Sequence, residues 1–220
     1  MVRFGKIHGF EHIESIANFQ QRVPLQDYDT LEPFIQQAIH GAKDVLWPGY
    51  TKWFAKSSGT TGKRIKTLPV TKDSLEHTHY AGGKDLLACY HQNVPNRKLY
   101  SKKHLILGGS NSLQNIDQHA IVADLSAIII DNLPIWTEFR RVPEKQIVLH
   151  ADWEEKLMLM AEASIKEDVA IIAGVPSWMT TFGNIVLKHS GKNSLHEVWP
   201  NLELYIHGGM NLAPYQNQLD

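Results

Sequence analysis

The spacing of apolar residues changes several times along the chain, and each change predicts a different element. Between residues 30 and 41, Leu31, Phe34, Ile35, Ala38 and Ile39 recur at helical intervals, and Gly41 suits the cap of that helix. The stretches KWFAKSS and IKTLPVT are instead rich in β-branched and aromatic residues. Pro69 prevents a helix from running on, so the two read as strands around a polar loop. A helix capped by Thr71 follows, through TKDSLEHTHYAGGKDLLACYHQN. Cys89 falls on its apolar stripe with Leu86, which predicts a buried structural thiol rather than a nucleophile.

The second half alternates strands and helices. KHLILGGS reads as a strand ending in a glycine pair, and LSAIIIDNLP is mostly apolar up to Pro134. Residues 152–167, DWEEKLMLMAEASIKE, form the clearest helix, with Trp153, Leu157, Met160, Ala161 and Ile165 on one face. Asp152, Glu154 and Glu155 lie in its first turn, where the helix dipole favours acids, so they need no acid–base role. DVAIIAG is a buried strand. PSWMTTFGNIVLKHSG is a helix with Pro176 in its first turn and Gly191 past its end. LELYIHGG closes as a strand on another glycine pair. This alternation, with no repeat and no Gly/Ser linker, predicts an α/β fold whose ligand lies at strand ends.

Composition narrows the class. The chain has 220 residues, 43% hydrophobic and 20% charged, with a formal net charge of -1. A chain of this size buries roughly 70% of its unfolded surface, and its charge balance argues against nucleic acid as a partner. Cys89 is the single cysteine, which rules out an intramolecular disulfide and a thiolate zinc site. Without a signal-like apolar run near the start or a stretch long enough to span a bilayer, a cytoplasmic location is expected.

The polar loop carries the chemistry. In AKSSGTTGKRIKTLPVT, residues 55–71, Ser57 stands where a Walker loop needs glycine, and Arg64 follows the lysine. What remains is backbone N–H groups freed by Gly59 and Gly62, several hydroxyls and a cation. Together these suit an anion nest for a polyphosphate. A plain polar hairpin turn is the competing reading.

The order SSGTTGK resembles the phosphate-binding signature of the adenylate-forming superfamily. More closely, FAKSSGTTGKRIKTLPVT looks like the first motif of the auxin-responsive acyl acid amido synthetases, the GH-three family. FGKIHGF, QRVPLQDYDTLEPFI, GAKDVLWPG, LGGS, DLSAIIIDNLP, GVPSWM and PNLELYIHGG follow that family's order along nearly the whole chain. The resemblance implies the large N-terminal domain of an adenylate-forming enzyme, with mixed sheets and flanking helices, here incomplete over residues 1–220. It also implies a ligase that uses ATP and Mg²⁺ to turn a carboxylic acid into an acyl-adenylate, then passes the acyl group to an amine or amino acid. Ser57, Ser58, Gly59, Thr60, Thr61, Gly62 and Lys63 would hold the phosphates. His207, Gly208, Gly209 and Met210 resemble the second nucleotide motif. Val175, Trp178 and Met179 resemble acid-binding positions, although a core tryptophan is the more frequent explanation of Trp178. No protein nucleophile, catalytic side chain or protein metal ligand is assigned.

The resemblance also sets limits. The family's third nucleotide motif, with its metal-holding glutamate, the ribose-gripping acid and the small C-terminal domain do not appear before Asp220. LAPYQNQLD begins a helix without completing it. The chain is therefore expected to be a fragment or remnant that binds nucleotide weakly at most and does not turn over. Self-association through surfaces left uncovered is a further expectation. The alternatives are a non-catalytic nucleotide- or partner-binding remnant and an acyl-CoA-synthetase-like thioester former, although the motif order around VLWPG and IIIDNLP speaks against the latter. Other residues read more plainly: His77 and His79 as surface groups, and Arg140, Arg141, Lys102 and Lys103 as solvated charge. His207 is open between stacking on a base and bonding a neighbouring loop.

Overall fold

The strands expected on either side of the polar loop form a hairpin. The structure, a computed structural model, describes residues 1–57, 65–109, 114–117 and 119–219. Its strands among these residues are β1 (Trp53–Lys56), β2 (Thr67–Val70), β3 (Lys103–Leu107), β4 (Gln114–Asp117), β5 (Ala120–Asp124), β6 (Val169–Gly174) and β7 (Leu204–Ile206). The helices that matter below are α1 (Tyr28–Ile39), α2 (Ala81–Asn93), α3 (Leu125–Asp131), α4 (Trp153–Ser164) and α5 (Pro176–Ser190). The chain divides into two units, Met1–His79 with Ser112–Ile128 and Tyr80–Asn111 with Ile129–Asp220. Each unit is assembled from two separated segments, so no linker marks the division in the sequence.

The first unit is built on a mixed sheet in the order β2-β1-β5-β4. β1 runs antiparallel to β2 and parallel to β5, which is antiparallel to β4. Ile35, Ala38 and Ile39 of α1 pack on Phe54 and Val122 of the sheet, and Leu31 and Phe34 flank them half-buried. Burying each large side chain of this cluster contributes about 1.5–3 kcal/mol. Asp27 and Thr30 close a reciprocal capping box at the start of α1, and Gly41 follows its end at φ 84°. Tyr28 braces the hairpin: its hydroxyl accepts from Thr67 N at 3.0 Å and donates to Thr67 O at 3.3 Å.

The second unit holds a parallel sheet in the order β3-β6-β7. α4 and α5 cover it, burying Leu157, Met160, Met179 and Phe182 against Leu105, Leu107 and Ile172. The α4 cap is Asp152, accepting from Glu155 N at 2.8 Å; Pro176 opens α5 and Gly191, at φ 68°, ends it. LSAIIIDNLP, of unassigned type in the sequence, begins as helix α3, and neither β4 nor β5 was foreseen.

Two expectations are corrected. Thr71 caps its helix as expected, but Leu75–Tyr80 is a π turn, which holds more residues than an α turn. The stripe beyond it arrives late: Leu87 and Tyr90 are half-buried against Leu99, Ala170 and Ile171, whereas Leu86 and Cys89 are exposed. The basic pairs are not simply solvated either. Arg141 is buried because its backbone bridges to His104 beside β3. Lys102 is ion-paired with Asp168, which also accepts from Asn201 Nδ2 at 2.9 Å. His77 and His79 are exposed, as expected.

His104 gives this unit a pH dependence. Its Nε2 lies 3.1 Å from the Leu99 carbonyl, and burial, aided by the charge of Arg140, holds its pKa below the ordinary value. Between that lowered pKa and the ordinary value of about 6.5 the unfolded chain binds the extra proton, so stability rises with pH through that window. Urea midpoints are expected to fall as pH drops below about 6.5, and His104→Gln to flatten the fall. An equal slope in the variant overturns this assignment.

Candidate functional site

The polar loop leaves its hairpin through Ser57. Ser57 N donates to Lys66 O at 2.9 Å and Ser57 Oγ accepts from Lys66 N at 3.1 Å, extending the hairpin one step beyond the paired strands. Lys66 is anchored in turn, with Nζ 5.1 Å from the centre of the Tyr28 ring. Ser58, Gly59, Thr60, Thr61, Gly62 and Lys63 lie outside the described residues. The parallel pairing of β1 with β5 sets Asp124, not singled out in the sequence, in register with Lys56 one residue before the loop mouth.

In the second unit three strands run in one direction, so their C-terminal ends share an edge of the sheet. β3 ends at Gly108–Gly109, β6 at Gly174–Val175 and β7 at His207–Gly208–Gly209. Such an edge is where open α/β sheets bind ligands. Gly174 is tightly enclosed, since a Cβ there would lie 3.0 Å from the Leu107 carbonyl oxygen and 3.2 Å from Met179 Cε. A Cβ on Gly209, which has φ 80°, would touch Val175 Cγ2 at 3.4 Å, so the second nucleotide motif and the acyl candidates are neighbours. Gly208 faces open space.

The expected side chains sit at different depths. Val175 and Trp178 are half-buried, Met179 is fully buried in the core, and His207 to Met210 are exposed. Tyr205 donates its hydroxyl proton to the Gly174 carbonyl at 3.0 Å, and burial raises its pKa, which keeps that proton in place. The His207 ring lies 5.4 Å from the Tyr205 ring, with the planes 42° apart. A side chain not foreseen completes the edge. Lys156 of α4 is wholly buried and donates from Nζ to the carbonyls of Gly108 at 2.6 Å and Gly109 at 3.1 Å. Its place three residues after Trp153 and four before Met160 was the available signal.

Comparison with known proteins gives the family and the fold. The model of the GH3 family N-terminal domain matches residues 1–220, the whole chain. Among solved structures, "AtGH3.15 acyl acid amido synthetase in complex with 2,4-DB" superposes with a TM-score of 0.67 at 17% identity, covering 81% of this chain and 32% of that one. A second, "GH3.15 acyl acid amido synthetase", gives 0.61 at 16% identity, covering 79% of this chain and 29% of that one. The chain thus spans about a third of their length, and at these identities the likeness carries the fold. A search of curated proteins finds no match. Among the described residues no helix is long and apolar enough to cross a membrane. With an α/β fold like that of these structures and the family model matched over its full length, the chain belongs to the GH3 family.

Proposed function

We propose that residues 1–220 form the nucleotide- and acyl-binding part of the N-terminal domain of an ATP-dependent acyl acid amido synthetase. The family match over the entire chain carries this reading. The carboxylate of a small acid attacks the α-phosphate of ATP; an oxygen–phosphorus bond forms, the bond to the β-phosphate breaks and pyrophosphate leaves. An amine or amino acid then attacks the acyl carbon, and AMP departs as the carbon–oxygen bond breaks. Mg²⁺ supplies charge neutralisation on the phosphates.

This chain's own part is binding and orientation. Ser57 to Lys63 would wrap the phosphates with backbone N–H groups, hydroxyls and one ammonium, which favour the charge that spreads as the carboxylate attacks. The hairpin bonds of Ser57 support this role, since they anchor the loop at its mouth. The turn at His207–Met210 resembles the second nucleotide motif, and Gly208, open to space, would let a nucleotide approach the backbone there. Val175, beside Gly209, and Trp178, both half-buried, would face the acyl group, with Met179 buried in the core. The acid and the amine are small molecules met in the cytoplasm.

Calorimetric titration of the chain with Mg-ATP tests the reading. Binding is expected, and it is expected to weaken at least about tenfold when Lys63→Ala is combined with Thr60→Ala, because charge-assisted hydrogen bonds are lost. No heat at millimolar ATP, or equal affinity in the double variant, rejects the loop as a phosphate site.

A further inference from the structure

The ammonium of Lys156 is wholly out of water, in a helix whose neighbouring buried positions are Leu157, Met160 and Ala161. An aliphatic side chain there would fill the same space without the cost of desolvating a charge, so packing alone does not explain a lysine. Its donors reach the two carbonyls that follow Leu107, the β3 residue paired with Gly174 of β6. The same Nζ stands 5.3 Å from the centre of the Trp153 ring, one turn earlier on α4. Trp153 packs in turn on Trp178, ring centres 5.0 Å apart, in the first turn of α5.

We propose that Lys156 is a positioning residue: its buried ammonium ties the Gly108–Gly109 strand end to the Trp153–Trp178 wall, so that the β3 end and the Trp178 side of the acyl pocket keep a fixed spacing. The pocket itself rests on the reading of Val175, Trp178 and Met179 given above. In a trans peptide the carbonyl and the following N–H point opposite ways, so the grip on two successive carbonyls orients two peptide planes. Through Trp153 the same cation sets where Trp178 stands beside Val175. Loss of the ammonium releases both sides together.

Backbone amide exchange of the purified chain, without ligand, tests the tie in Lys156→Met, Lys156→Arg and Trp153→Leu. Lys156→Met is expected to speed exchange about tenfold in both 104–109 and 175–179, with the β1–β2 hairpin unchanged. Lys156→Arg, which keeps the charge and the donors, restores part of the protection. Trp153→Leu speeds exchange at 175–179 alone. Faster exchange confined to 104–109 in Lys156→Met overturns the proposal. If that variant unfolds, unaltered exchange at 175–179 in Trp153→Leu overturns it instead.

A titration with phenylacetate, followed by tryptophan emission, separates the tie from the pocket. Where the wild-type chain binds phenylacetate, Lys156→Met weakens it at least about fivefold and leaves ATP affinity in place, a split that general loosening does not produce. Equal phenylacetate affinity in the two proteins overturns the proposal. No wild-type binding at millimolar phenylacetate rejects the acyl-pocket reading, and the exchange data alone then decide the tie.

Discussion

Trp199→Ala is expected to destabilise the protein by about 4 kcal/mol, against a total of about 5–15 kcal/mol for a typical domain. Trp199 is 1% exposed, lies 6.5 Å from Phe182 in a near-parallel arrangement, and donates from Nε1 to the Ser164 carbonyl at 2.9 Å. Truncation removes the largest fully buried side chain among the described residues and leaves a cavity between the end of α4 at Ser164 and the middle of α5 at Phe182. The cavity dominates. The Ser164 carbonyl keeps a second donor, Glu167 N at 3.0 Å, so the lost hydrogen bond adds only about 1 kcal/mol. Trp199→Phe, which keeps most of the volume, is expected to cost about 2 kcal/mol. Urea denaturation followed by circular dichroism reads both. A loss under about 1 kcal/mol in the alanine variant means the site collapses, contrary to the packing described.

The second large effect concerns Arg141, and its sign depends on which partner is removed. The Arg141 side chain is 3% exposed; Nη2 faces the Glu138 carboxylate as an ion pair, while Nε and Nη1 have no hydrogen-bond partner among the described residues. Burial lowers its pKa and the nearby Asp131 raises it, so the cation depends on its acids. Glu138→Ala strands the charge in the interior and is expected to cost about 3 kcal/mol. Arg141→Met removes charge and desolvation cost together, and is expected to lie within about 1 kcal/mol of wild type or to be more stable. The two variants differ by one carboxylate and one guanidinium. If Arg141→Met proves the more damaging, the guanidinium contributes more by its contacts than its burial costs.

Much of the fold was legible because local chemistry and tertiary role coincide. Pro69, Pro176, Gly41 and Gly191 punctuate the chain for reasons of backbone geometry alone, and each stands where the pattern predicts. The strand ends were legible from their glycines: Gly174 is crowded by the Leu107 carbonyl and Met179, and Gly209 takes a φ of 80° that suits glycine. Buried cations were not. Lys156 and Arg141 read as polar positions: the Gly108 and Gly109 carbonyls that hold Lys156 are distant in the sequence, and Glu138, three residues before Arg141, does not by itself mark a buried pair. β4 and β5 escaped for another reason: their pairing with each other and with β1 is settled by the sheet rather than by a local pattern.

The π turn at Leu75–Tyr80 has a consequence for how this stretch is encoded. Three regular turns need about eleven residues, which would carry the register from Leu75 to Leu86; twelve positions lead instead to Leu87. The wide turn works as a frameshift in the apolar code. Every letter downstream is intact and is read one place late. What decides whether Cys89 meets solvent or the interior is therefore a count of residues upstream, and a lost or gained codon there would change the exposed face of α2 without altering one of its amino acids.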